Sequence, residues 1–240
     1  GPVPLLLKTL RPALMLWDHW AAHRSAVYVA NASVIKKRIE NVYGKKDVPI
    51  FFPPHSVDPT APVEPIPGLE EFTESDDYFL IVSRLLPYKN VDKAIEACNE
   101  LGKKLLVIGR GPEKERLEAL AGPTVRIVSG VSDAQLRYAY RHCLALLAIS
   151  YEDFGITPLE AGASGKAVIA YRAGGFLDTI QEGKTGMFIN QPTVEQLVEA
   201  LKAFNPDDWD ADYIREHVDG FSEARFISRL KMYVQALPED

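Results

Sequence analysis

The sequence predicts a doubly wound α/β fold on a parallel sheet, and two observations carry that prediction. From Tyr78 onward, short and continuously apolar runs recur, where a sheet with one face in solvent would alternate apolar and polar residues. Between the runs lie stretches with apolar residues at helical spacing, so strands and helices alternate along the chain.

The elements follow in order. Up to about Tyr43 the pattern is helix, short strand, helix. Leu14, Trp17, Ala21 and Ala22 fall near one helical face, Val27 to Ala30 is a short strand, and Val34, Ile35, Ile39 and Val42 return at helical spacing. Asn31 is expected to cap the second helix. Residues 1–47 are too few for a domain and have the pattern of the end of one. Residues 48–76 form a connector. It opens on a β-rich run, Val48 to Phe52, and continues through Pro53, Pro54, Pro59, Pro62, Pro65 and Pro67, which forbid regular structure. The main domain spans 77–205. Its strands are Tyr78 to Val82, Leu105 to Ile108, Val125 to Val128, Leu144 to Ile149, Ala167 to Tyr171 and Met187 to Ile189. Its helices are Val91 to Leu101, Glu113 to Leu120, Asp133 to His142, Pro158 to Ser164, Gly174 to Gln181 and Val194 to Phe204. Residues 206–240 are helical again, over Asp210 to His217 and Ser222 to Ala236.

Composition narrows the function classes. Of 240 residues, 47% are apolar and 25% charged, an ordinary soluble balance, and the net charge of −6 argues against a nucleic-acid surface. Two cysteines, Cys98 and Cys143, do not make a disulfide framework, which points to a reducing, cytoplasmic setting. No apolar run approaches the ~20 residues needed to cross a bilayer, and the N-terminus lacks the order of a signal peptide. Gly1-Pro2 resembles the remnant of a cleaved tag. The segment Leu5 to Trp20, with Lys8, Arg11 and two tryptophans, is expected to pack on a further domain. Alone it is an apolar patch open to self-association or to peripheral contact with an inner membrane face.

In open parallel sheets, ligands bind beyond the carboxyl ends of the strands. After the first strand, Arg84 and Lys89 frame a loop stiffened by Pro87, a cationic site for a diphosphate beside a helix start. Gly109-Arg110-Gly111-Pro112 follows the second strand, a tight turn that lacks the third glycine of a dinucleotide fingerprint. Gly130-Val131 follows the third. After the fourth strand come Glu152-Asp153-Phe154-Gly155-Ile156-Thr157-Pro158-Leu159-Glu160. Thr157 is expected as N-cap with Glu160 closing a capping box. Glu152 serves neither cap nor strand, and Gly155 permits close approach of a ligand to the backbone. Ile156 and Thr157 offer N–H groups to an anion, and the two carboxylates suit vicinal hydroxyls of sugars. Gly174-Gly175 follows the fifth strand.

Glu152 and Glu160 bracket seven residues. This E-x7-E arrangement resembles that of the family-4, retaining, GT-B glycosyltransferases. Ser83-Arg84-Leu85 through Lys89-Asn90, Gly109 to Pro112, Gly130-Val131-Ser132, Phe154 to Ala161 and Gly174-Gly175 fall in that family's order. Tyr28 to Ser33 and Pro53-Pro54 are similar to its interdomain region. The resemblance implies that residues 77–205 are the Rossmann-like nucleotide-sugar-binding domain and residues 1–47 the remnant of the acceptor domain. Carried over, Arg84, Lys89, Ile156 and Thr157 would hold the donor diphosphate, and Glu152, the catalytic candidate, would hold the transferred sugar with Asp153, Phe154 and Gly155. Glu160 would hold the ribose, and Gly109, Arg110, Gly130 and Val131 the base. No metal or cofactor is implied, because cationic side chains take the metal's place at the leaving diphosphate. The pattern favours mannosyltransferase-like members that use GDP-mannose. The alternative is a non-catalytic nucleotide-sugar module acting with a separate acceptor-binding chain. A nicotinamide oxidoreductase is disfavoured by the incomplete glycine turn. Three departures from the family pattern stand out: most of the acceptor domain is missing, His55-Ser56 interrupts Pro-Pro and Val-Asp, and Asp178 occupies a usual glutamate position. Asp210-Ala211-Asp212 matches a metal-binding D-x-D by chance, since it lies in the polar tail.

Overall fold

The computed structural model describes residues 3–24 and 27–237, with side chains from residue 8 onward. Gly1-Pro2 therefore lies outside the described residues. The chain divides into two compact units, residues 1–52 and 53–240.

The first unit contains α1 (Val3–His23) and α2 (Ser33–Tyr43), tied by a hydrogen bond from the Tyr43 hydroxyl to Asp18. The two β-rich runs shrink to one isolated bridge, Ala30 to Ile50, because each finds only a single pairing partner. Asn31 does not cap α2. The N-cap is Ala32, in extended backbone without a side-chain bond. On α1, Leu14, Met15, Trp17 and Trp20 are exposed. Among the described residues, no helix is long and apolar enough to cross a membrane.

In the second unit, six strands form one all-parallel sheet: β1 (Tyr78–Val82), β2 (Lys104–Ile108), β3 (Val125–Val128), β4 (Leu146–Ala148), β5 (Val168–Tyr171) and β6 (Gly186–Ile189). Their order is β3-β2-β1-β4-β5-β6. Successive side chains of a strand point to opposite faces, so each strand feeds two cores. Phe79, Ile81, Leu105, Val107, Leu147 and Ile169 face the helices α4 (Val91–Leu101) and α9 (Val194–Ala203). Tyr78, Leu80, Leu106, Leu146, Val168 and Ala170 face the other side, with α6 (Asp133–His142), α7 (Thr157–Ala163) and the short α8 (Phe176–Thr179). Two buried faces explain why the strands are apolar throughout. Before the tail, two further helices belong to this unit, α3 (Glu70–Thr73) in the connector and α5 (Lys114–Leu120) after β2.

The tail belongs to this unit. Helix α10 (Ala211–Asp219) lays buried Ile214 and Val218 on α7, where Gly162 leaves the room: a β-carbon there would come within 2.5 Å of Val218. Asp210 caps α10 by accepting the N–H groups of Asp212 and Tyr213, and Asp212 pairs with Arg215. Those contacts account for the Asp-x-Asp pattern as helix capping. The last helix, α11, spans Glu223–Gln235.

Candidate functional site

The strand order reverses direction at β1 and β4. The crossovers leaving these neighbours cover opposite faces, so a crevice opens beyond their carboxyl ends. A cavity of about 200 Å³ lies there. Lys89, Glu152, Gly155, Ile156 and Thr157 line it, all of them expected site residues, and so do Ser83 and Ser150.

Lys89 closes a single 3-10 turn, Pro87–Lys89. Asn90, in left-handed backbone, donates its side-chain amide to the Ile149 carbonyl at 2.8 Å and so ties the β1 loop to the end of β4. That anchor aims the Lys89 ammonium at Glu152, with Nζ to Oε1 at 2.5 Å. Ser150 donates its hydroxyl to the same oxygen. Both charged side chains are largely covered, at 14% and 21% exposure, so their pairing is screened less than a surface ion pair. Arg84, by contrast, is exposed and does not line the cavity.

Glycines shape the loop that carries Glu152. Gly174 has φ +61, and a β-carbon there would sit 2.0 Å from the Glu152 carbonyl oxygen. Gly175 donates its N–H to that oxygen at 2.9 Å, and its α-carbon lies against the Phe154 backbone. Gly155, with φ +78, is pressed on the Phe176 ring, and Phe154 is buried at 6% exposure. The Gly-Gly turn is thus the floor beneath the Glu152 loop. Likewise, β-carbons at Gly109 and Gly111 would meet the carbonyl oxygens of Ser83 and Leu85 at 1.9 and 2.2 Å, so these glycines let the β1 and β2 loops pack backbone to backbone. Arg110 and Asp153 are exposed; Gly130 has φ +74 with open space around it, and Val131 is half-buried.

The capping box is absent. The α7 N-cap is Ile156 without a side-chain bond, and Thr157 and Pro158 are already helical. The Glu160 carboxylate turns inward and accepts the Tyr140 hydroxyl at 2.6 Å. Burial pushes the Glu160 carboxyl above its ordinary value, and the Tyr140 bond only partly offsets this. Folding therefore favours the protonated form. The stability that Glu160 contributes is fully present below pH 4.5, the ordinary carboxyl value, and is lost as pH rises through the carboxyl's raised value. Glu160→Gln keeps an acceptor for Tyr140 but cannot ionise. Its melting temperature is expected to match wild type near pH 4 and to exceed it at pH 7, as read by thermal unfolding at both values. A variant no more stable at pH 7 than at pH 4, relative to wild type, contradicts the assignment.

Tyr140 and Ser150 carry no expectation from the sequence, and Ser83 and Asn90 enter only as the ends of a segment in the family's order. The one available signal was a tyrosine on the apolar face of α6, which reads as ordinary core. Among the described residues, no three His, Cys, Asp or Glu side chains gather in a way that could hold a metal.

The sequence profile of the glycosyl transferases group 1 family matches residues 65–218, from the end of the connector through most of α10. Among similar proteins is a glycogen synthase of Pseudomonas syringae pv. syringae, 34% identical over 133 residues, covering 51% of this chain and 27% of the relative. Another is a GDP-mannose-dependent α-(1-6)-phosphatidylinositol monomannoside mannosyltransferase of Mycobacterium tuberculosis, 30% identical over 138 residues, covering 50% of this chain and 36% of the relative. The chain thus spans about a third or less of the length of these relatives. In fold it is similar to sucrose-phosphate synthase of Thermosynechococcus elongatus, with a TM-score of 0.78 and 19% identity over 92% of this chain and 61% of that one. An Anabaena protein crystallised with UDP-glucose gives 0.77 and 15%, over 93% and 67%. With the profile matching more than half of its residues, and with the parallel sheet of a GT-B domain, the chain belongs to the glycosyl transferases group 1 family.

Proposed function

We propose that this chain binds the nucleoside-diphosphate sugar in a retaining hexosyl transfer, with the cavity beyond β1 and β4 as its donor site. The observation that carries this reading is the meeting of Lys89 and Glu152 there, a cation for phosphate beside a carboxylate for sugar hydroxyls. When the bond between the anomeric carbon and the diphosphate oxygen breaks, negative charge collects on the leaving phosphate. Lys89, with the N–H groups of Ile156 and Thr157 at the unsatisfied start of α7, opposes that charge, and Arg84, exposed on the same loop outside the cavity lining, reaches toward it. Glu152 accepts hydroxyls of the hexose, positioned with Asp153, Phe154 and Gly155. Glu160 accepts the ribose hydroxyls, and the loops at Gly109-Arg110 and Gly130-Val131 face the base. No metal is needed at the leaving group. For retention, a hydroxyl of the acceptor, held by the acceptor-binding half, bonds to the anomeric carbon from the diphosphate's side and passes its proton to the leaving phosphate oxygen.

The ion pair has a direct consequence: a bound diphosphate competes with Glu152 for Lys89, so donor binding frees Glu152 for the sugar. Because a mannosyltransferase and a glycogen synthase are both relatives, a hexose donor is the common element, and GDP-mannose is the preferred candidate on sequence pattern. Calorimetric titration with GDP, UDP and ADP tests the proposal. Saturable binding of one nucleotide, weakened by Lys89→Ala and Glu160→Ala, is the expected result. Binding of none, or binding indifferent to both substitutions, overturns it.

A further inference from the structure

We infer that Ser83 is a ligand of the donor diphosphate, its hydroxyl turning from its covered position into the cavity beyond β1 and β4 as a hydrogen-bond donor. The inference rests on the donor-site reading of that cavity and adds a residue to it. Ser83 is the first residue past β1 and lines the cavity beside Lys89. Its backbone is fixed on two sides. The N–H donates to the Ile108 carbonyl at 3.1 Å, and the carbonyl oxygen sits where a β-carbon on Gly109 would come within 1.9 Å. The hydroxyl oxygen is shut off from solvent, and no protein group hydrogen-bonds to it.

The other polar groups of this wall are differently placed. Lys89 and Ser150 both donate to Glu152, so the carboxylate's protein partners are already in position. Ser83 has no such partner. A buried hydroxyl without one is unfavourable for folding, and an alanine would fill nearly the same space without that penalty. A hydroxyl retained at such a place fits a ligand acceptor. Beside an ammonium group, the acceptor that suits both donors is a phosphate oxygen, since a sugar hydroxyl is better matched by Glu152.

Ser83→Ala discriminates this role from a structural one, because the two predict opposite signs. Wild type, Ser83→Ala and Lys89→Ala are titrated with GDP, UDP and ADP, and with GDP-mannose, UDP-glucose and ADP-glucose. Each protein's thermal unfolding is measured without ligand. For whichever nucleotide binds, Ser83→Ala is expected to weaken the diphosphate and its sugar conjugate by the same factor, about tenfold to a hundredfold for a bond to a charged acceptor. Its melting temperature stays equal to wild type or rises. Unchanged affinity in Ser83→Ala alongside weakened affinity in Lys89→Ala overturns the Ser83 assignment while leaving the donor site standing. A loss confined to the sugar conjugates moves the contact off the phosphate and overturns it too. A fall in melting temperature together with affinity makes Ser83 structural. No binding by wild type removes the donor site and Ser83's role together.

Discussion

Replacing Gly174 by alanine is expected to destabilise the chain by about 2–5 kcal/mol, adding the strain of a left-handed non-glycine residue to an overpacking term. Nucleotide binding should be lost with it. With φ at +61, alanine is strained there even in open space, and its β-carbon would also lie 2.0 Å from the Glu152 carbonyl oxygen. Neighbouring Gly175 holds that same oxygen through its N–H, so relief of the clash must displace the loop carrying Glu152. Gly183 provides the control. Its φ is +73, but no atom lies within 4 Å of its would-be β-carbon. Gly183→Ala should therefore show only the conformational part, about 1–2 kcal/mol, with binding intact. Urea unfolding and calorimetry on both variants separate the two effects. Equal destabilisation in the two would show that contact with the Glu152 loop contributes nothing.

Lys89→Ala is expected to weaken nucleoside-diphosphate binding by about tenfold to a hundredfold, the range for a lost charge-assisted hydrogen bond. Added salt should weaken wild type more than the variant, because the ionic part of the interaction is what the variant lacks. Glu152→Gln should behave differently. It removes the charge that holds Lys89 at 2.5 Å, so nucleoside diphosphate should bind as well as in wild type or better, while hexose transfer by the full-length protein falls sharply. Isothermal titration and a transfer assay on the full-length protein check this pair. If Glu152→Gln instead loses diphosphate affinity as Lys89→Ala does, the carboxylate supports the phosphate site and has no separate role toward the sugar.

The sheet was largely legible because its signal is local and repeated. Each strand is buried on both faces, so Tyr78–Val82 and Val125–Val128 stand out as unbroken apolar runs whatever packs on them. The runs at Val27 to Ala30 and Val48 to Phe52 carry the same local signal, yet they yield one bridge, since strand formation depends on a partner and no sequence window contains it. The site was legible as positions and misread as contacts. The loop from Glu152 to Thr157 follows β4 as expected, but the helix starts one residue earlier than a capping box at Thr157 and Glu160 needs, and Glu160 turns to Tyr140, twenty residues earlier in the chain. The glycines at Gly109 and Gly174 stand out in the sequence as turns, and the neighbouring backbone that requires them, at Ser83 and Glu152, is visible only in the fold. Asn90 and Ser83 enter the sequence only as the ends of a segment in the family's order, with no role of their own. Their importance lies in an amide reaching the Ile149 carbonyl and a hydroxyl reaching no protein group, and both facts exist only in three dimensions.

Glu160 and Ser83 share a property expected of groups kept for a ligand and not for packing. Each is a polar group whose burial opposes folding, through a carboxyl pushed upward by desolvation and a hydroxyl without a partner. Substitutions that stabilise the fold at these two positions while weakening nucleotide binding would mark them as retained for the ligand.

The most direct test is a crystal structure of the chain with the nucleoside diphosphate selected by calorimetry. The diphosphate is predicted to lie beyond the carboxyl ends of β1 and β4, with Lys89 turned from Glu152 onto phosphate oxygens and the ribose at Glu160. A nucleotide bound elsewhere, or bound there with the Lys89–Glu152 pair intact, would contradict the assignment of this cavity as the donor site.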